Sequence, residues 1–124
     1  MAGQMSNRRQ NIGRWGEEVA AKYLAAHGYT ILSRNMRTPH GEIDIIACRE
    51  QVLVFVEVKS RTTSNFGHPE IAVTARKQAH MLASAEQFIQ ESPEEYFTWQ
   101  FDVIAIEGKP GSEPKITHFE NILA

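Results

Sequence analysis

The sequence predicts an α/β fold of αβββαββ order: a central mixed β-sheet of about five strands flanked by helices. Two observations carry this. Segments with helical periodicity alternate with short runs rich in Val, Ile and Phe. The central pair of such runs, Gly41 to Ala47 and Val52 to Ser60, is separated by a gap short enough for a β-hairpin. A third feature speaks to function: Asp44, Glu57 and Lys59 are charged positions inside those otherwise apolar runs.

The chain has 124 residues, 42% hydrophobic and 23% charged, which is ordinary for one globular domain. Residues 1–10 are polar and read as a flexible tail; residues 11–124 read as a single domain. The net charge of −2 gives no general attraction to nucleic acid, but the charge is uneven. The first fifteen residues hold Arg8, Arg9 and Arg14 and no acid, while Glu86 to Glu95 carries acids only. A lone cysteine, Cys48, excludes an internal disulfide framework and suits a reducing, cytoplasmic setting. No apolar run reaches membrane-spanning length, and the N-terminus lacks the apolar stretch of a signal peptide.

The first helix is expected from about Asn11 to His27, with Ile12, Val19, Ala20, Tyr23 and Leu24 as its apolar stripe and Gly28 just beyond its end. Glu17 lies on the inward line with Gly13, Ala20 and Leu24; Glu18 lies outward with Arg14 and Lys22. An inward Glu near a helix start serves either as a partner of the helix dipole or as an acid of a site. Tyr29 to Met36 reads as the first strand, and Arg37 to Gly41 as a turn in which His40 reads as a solvated loop residue.

In the hairpin, a turn centred between Glu50 and Gln51 opposes Ile46 with Phe55, Asp44 with Glu57 and Glu42 with Lys59. The other face is then wholly apolar, joining Ile43 with Val58, Ile45 with Val56 and Ala47 with Val54. A one-residue slip would mix the faces. Two opposed, half-buried carboxylates repel, and burial raises the pKa of one. A hard divalent cation such as Mg²⁺ relieves both problems. Lys59 then either orients a water and offsets charge on a phosphate, or simply neutralises the two acids.

Beyond Lys59, the polar stretch Ser60 to Pro69 includes Arg61, placed either to meet phosphate oxygens or as part of an ordinary solvated loop. A long helix follows from about Glu70 to Glu91, stopped by Pro93, with the stripe Ile71, Ala75, Gln78, Leu82, Ala85 and Ile89. The amide of Gln78 is satisfied by backbone or points into a site. Arg76 and Lys77 beside it are either solubilising or functional. Trp99 to Ile106 and Lys115 to Phe119 complete the strands, the latter as an edge. Asp102 reads as a structurally satisfied acid. If both helices cover the face holding Asp44 and Glu57, then Glu17 and Gln78 converge on it.

Gly41-Glu42-Ile43-Asp44-Ile45-Ile46-Ala47 followed by Val54-Phe55-Val56-Glu57-Val58-Lys59 resembles the hairpin of the PD-(D/E)xK nuclease superfamily, the restriction-endonuclease-like fold. Ile43 stands where that motif has Pro. Over nearly its whole length the chain resembles the bacterial YraN-type family of endonuclease-like proteins. Gly13, Gly16, Glu17 and Ala20, then Gly28-Tyr29, Lys77-Gln78 and Phe101-Asp102-Val103, carry that likeness. Archaeal Holliday-junction resolvases are similar in layout. The resemblance implies a nuclease-type site using Mg²⁺ or Mn²⁺. Asp44, Glu57 and the Val58 carbonyl would hold the ion, Lys59 would position water, and Glu17 would be an outer or second ligand. DNA is the implied partner, with branched or repair intermediates as substrates. Arg14, Arg61, Arg76, Lys77 and Gln78 are the candidate contacts. A homodimer would place two sites on a duplex. The alternative is a nucleic-acid-binding module of the same fold with little or no turnover.

Overall fold

A computed structural model of the chain describes residues 3–62, 74–96 and 98–123, with side chains from residue 11 onward. The expectations for residues 63–73, which are most of the polar loop and the start of the second helix with Ile71, lie outside the described residues, as do the side chains of Arg8 and Arg9.

Helix α1 (Gly3–Ala26) is followed by β1 (Thr30–Thr38), β2 (Gly41–Arg49) and β3 (Val52–Arg61), then α2 (Ala75–Glu91), β4 (Thr98–Glu107) and β5 (Lys115–Phe119). This is the predicted order. The helix starts at Gly3 and so takes in most of the stretch read as a tail. The strands form one five-stranded sheet in the order β1-β2-β3-β4-β5. All neighbours are antiparallel except β3 and β4, which are parallel. A parallel pair requires a crossover, and α2 lies within it. The mixed sheet with its flanking helices is the restriction-endonuclease-like arrangement.

The hairpin register is the predicted one through Ile45 with Val56, Ile46 with Phe55 and Ala47 with Val54. Its turn is made by Glu50 and Gln51, both at positive φ (53° and 65°). That is the backbone of a tight two-residue hairpin turn, which normally selects Asn and Gly. Neither residue signals it, so the apolar alternation of the strands sets the register.

The two helices cover opposite faces of the sheet. Ala20, Ala21 and Leu24 of α1 pack on Ile45, Ala47, Val54, Val56, Ile104 and Ile106. Ala85 of α2, with Met81, Leu82, Phe88 and Ile89, packs on Ile46, Leu53, Phe55 and Phe101. The conditional picture of both helices over one face is therefore corrected. Strand alternation gives each sheet face its own apolar set, and each set takes one helix. Gly16 fixes how close α1 comes: a Cβ there would lie 1.8 Å from Ser60 Oγ and 2.9 Å from Ser60 Cβ. No helix among the described residues is long and apolar enough to cross a membrane.

Candidate active site

The sheet forks in its middle. The β2–β3 ladder ends at Ile45 with Val56. Beyond that pair β2 stays with β1 as far as Gly41, while β3 continues beside β4 to Arg61. Asp44 and Glu57 are the first residues past the fork. They are therefore adjacent as predicted, but they are not a ladder pair.

The fork explains three departures from the predicted hairpin. Ile43 joins the cluster under α2 with Ile46 rather than sharing the α1 face with Ile45. Glu42 meets Arg37 across β1 at 3.7 Å instead of Lys59. The Val58 amide has no partner on β2, and Asp44 Oδ2 accepts its hydrogen at 2.8 Å. The Asp44 side chain thus supplies the acceptor that the departing strand no longer offers. Val58 meets Asp44 through its N–H, a bond that does not involve the carbonyl that the family likeness assigns to a cation.

Asp44 is half-buried, and its carboxyl is pushed up from 3.8 to about 6. Burial is the main cause. Glu17, Glu57 and Glu42 add to it, while the Val58 hydrogen bond opposes it. Glu17 acts from α1, the helix on the other side of the sheet from the α2 cluster. Close contact at Gly16 places the neighbouring Glu17 for this. Among the described residues no side chain donates to Asp44 and no cation pairs with it.

Glu57 has a cation, but not the predicted one. Lys77 Nζ lies 2.5 Å from Glu57 Oε1. Lys77 stands in the first turn of α2, where Thr74 caps the helix by accepting from the Lys77 N–H at 3.1 Å. Glu57 and Lys77 line a depression with Glu42, Asp44, Phe55, Met81 and Phe101. Lys59 shares the Glu57 face of β3, is half-buried and makes its own contacts, but does not line that depression. Gln78 does not line it either. It faces a separate hollow with Leu82, Trp99, Gln100 and Asn121, because one residue along a helix turns the side chain by about 100°.

Arg76 and Arg14 are exposed, and Arg61 is half-exposed at the end of β3. Arg61 lies at the end of the sheet toward which β3 and β4 run, where its carbonyl accepts from Gly108 N–H at 2.8 Å. Trp15, next to Arg14, lies against Gly108. His40 sits in the exposed β1–β2 turn, its N–H donating to Thr38 Oγ1 at 3.0 Å, and does not line that depression.

A family model described as uncharacterised protein family UPF0102 matches residues 16–106. The chain belongs to the UPF0102 family. The YraN-type likeness read from the motifs therefore holds. A UPF0102 protein of Syntrophotalea carbinolica is 44% identical over 115 residues, covering 93% of each chain. A Dehalococcoides mccartyi relative is 39% identical, covering 96% of this chain and 98% of its own. One from Chlorobaculum parvum is 45% identical, covering 90% and 86%. The matched span in this UPF0102 protein includes Glu17, Asp44, Glu57, Lys59, Lys77 and Asp102.

This UPF0102 chain has a second polar cluster on the α1 face. Asp102 is fully buried. Its Oδ1 accepts from Gln100 Nε2 and from the Asn121 N–H, each at 2.9 Å, and its Oδ2 bonds His118 Nε2 at 2.7 Å. His118 Nδ1 in turn meets the Tyr23 hydroxyl at 3.1 Å. Ligand atoms of Asp102, His118 and Glu120 all lie within 4.8 Å of one another, a spacing that suits a metal ion. Among the described residues it is the one such group of three; Glu17, Asp44 and Glu57 do not share that spacing. The hydrogen bonds of Asp102 nevertheless satisfy its carboxyl, as the sequence reading expected. The roles of His118, Glu120 and Tyr23 were missed. The available signal was an acid amid apolar strand residues, which requires buried partners.

Proposed function

We propose that the protein is a metal-dependent nuclease-type enzyme that hydrolyses phosphodiester bonds in DNA, with branched or repair intermediates as its substrates. The carrying observation is Asp44: a half-buried carboxylate just past the fork, amid Glu17, Glu42 and Glu57, with no cation of its own among the described residues. A donor set made only of carboxylate oxygens fits a hard divalent ion such as Mg²⁺ or Mn²⁺. Asp44 and Glu57 would hold the ion, with Glu17 as an outer contact. The bound cation would supply Lewis-acid polarisation of a phosphoryl oxygen.

The remaining work falls to the chain's own residues. Lys59 orients water and offsets charge developing on the phosphate. Arg14, Arg61, Arg76 and Lys77 bind backbone phosphates, and Gln78 borders that surface. Cutting both strands would require two sites, which a twofold dimer provides.

The direct test incubates the protein with Mg²⁺ or Mn²⁺ and linear, single-stranded, flapped and four-way DNA, alongside Asp44→Ala and Lys59→Ala. Cleavage lost in both variants is expected. Cleavage that survives both substitutions would remove the site assignment. A second reading is a binding module of the same fold without turnover. It is favoured by the Lys77–Glu57 pair, which already neutralises one of the two acids. Salt-sensitive DNA binding without cleavage by any form would select it.

A further inference from the structure

The first turn of α2 is an unfavourable place for a lysine. A helix N-terminus carries positive partial charge, which acids stabilise and cations do not. Yet the first turn of α2 contains no acid and holds Arg76 and Lys77. Lys77 reaches away from the helix start into the depression and meets Glu57 at 2.5 Å. The pair is only partly solvated, with Lys77 41% and Glu57 29% exposed. Met81 and Phe101 wall the same depression and restrict the water around it. Asp44, on the other strand of the fork, has no such partner among the described residues.

The ammonium therefore occupies one of the two carboxylates that the proposed function assigns to a divalent ion. We propose that Lys77 is a tethered counter-ion for Glu57, a built-in competitor that a divalent cation must displace before the Asp44–Glu57 site is loaded. This rests on the reading of Asp44 and Glu57 as cation ligands. It fits one observation besides the pair itself: Glu17, Asp44 and Glu57 do not share ligand spacing while Lys77 holds Glu57. The pair also neutralises Glu57 when cation is scarce, so loading depends on cation concentration through an exchange rather than simple capture.

Calorimetric titration of Mn²⁺ into the full chain tests this. Lys77→Met is expected to bind Mn²⁺ about three- to tenfold more tightly than the unsubstituted protein. Lys77→Arg, which keeps the charge, is expected to stay within twofold of it. Glu57→Gln is expected to lose Mn²⁺ binding at the Asp44–Glu57 site. Circular dichroism and a melting curve on each variant confirm that the comparison is between folded proteins. Equal or weaker binding by folded Lys77→Met overturns the proposal while leaving the metal-site reading standing. Absence of Mn²⁺ binding in both proteins overturns both. If Lys77→Met does not fold, Lys77→Gln takes its place under the same criterion.

Discussion

Asp44 holds its proton more firmly in the folded protein than in an unfolded chain, since its carboxyl is pushed up to about 6. The folded state therefore binds more protons than the unfolded state between about pH 4 and pH 6, and ionisation of Asp44 costs stability as pH rises through that window. This is the reverse of a salt-bridged aspartate. Asp44→Asn keeps an oxygen for the Val58 N–H and removes the charge. It should raise the melting temperature by a few degrees at pH 7.5, equivalent to about 1–2 kcal/mol after allowing for partial exposure. The gain should vanish at pH 4, and Mn²⁺ should no longer stabilise the variant; melts at both pH values read each effect. Asp102, by contrast with the thinly partnered Asp44, has its hydrogen-bond donors already in place. Asp102→Ala strands Gln100, His118 and the Asn121 N–H in a buried site and should cost about 2–4 kcal/mol, seen as a lower urea midpoint.

At the scale of elements, one glycine and one turn bear most on the fork. Gly16 lets α1 lie against Ser60 of β3, and a methyl group there meets a short side chain that cannot move far. Gly16→Ala should destabilise the protein by about 1–3 kcal/mol in equilibrium unfolding. It should also weaken Mn²⁺ binding, since Glu17 moves with the helix. The Glu50–Gln51 turn has the opposite prospect. Both residues are held at positive φ without being Gly, Asn or Asp. Replacing them with Asn-Gly should stabilise the chain by about 1 kcal/mol, with the register unchanged by amide chemical shifts.

Across the whole molecule, Arg61 and Arg14 lie near the sheet end toward which β3 runs, and Arg76 and Lys77 lie at the start of α2. If these cations meet phosphates, the logarithm of the DNA association constant should fall with the logarithm of salt at a slope of about −3 to −4. Arg61→Ala should reduce that slope by about 1, as fluorescence anisotropy over a KCl series would show. Element order, strand limits and hairpin pairing were legible because hydrophobic alternation encodes them locally. The convergence of Asp44 and Glu57 followed from that register. The side of the sheet each helix covers was not legible, since either choice buries an apolar stripe. The fork was also hidden: nothing between Gly41 and Ile45 marks where β3 stops following β2. The Lys77–Glu57 and Asp102–His118 pairs join distant segments, and their distances come from tertiary geometry that periodicity does not contain.

The Val58 amide has one further use. Its proton is committed to the Asp44 carboxylate rather than to a strand. Its nitrogen and proton resonances should therefore follow whatever happens to that carboxylate, moving as Asp44 titrates and shifting again when a diamagnetic Mg²⁺ arrives. A single backbone signal, in a spectrum otherwise governed by ordinary sheet bonding, serves as the molecule's own gauge of the charge state at the fork.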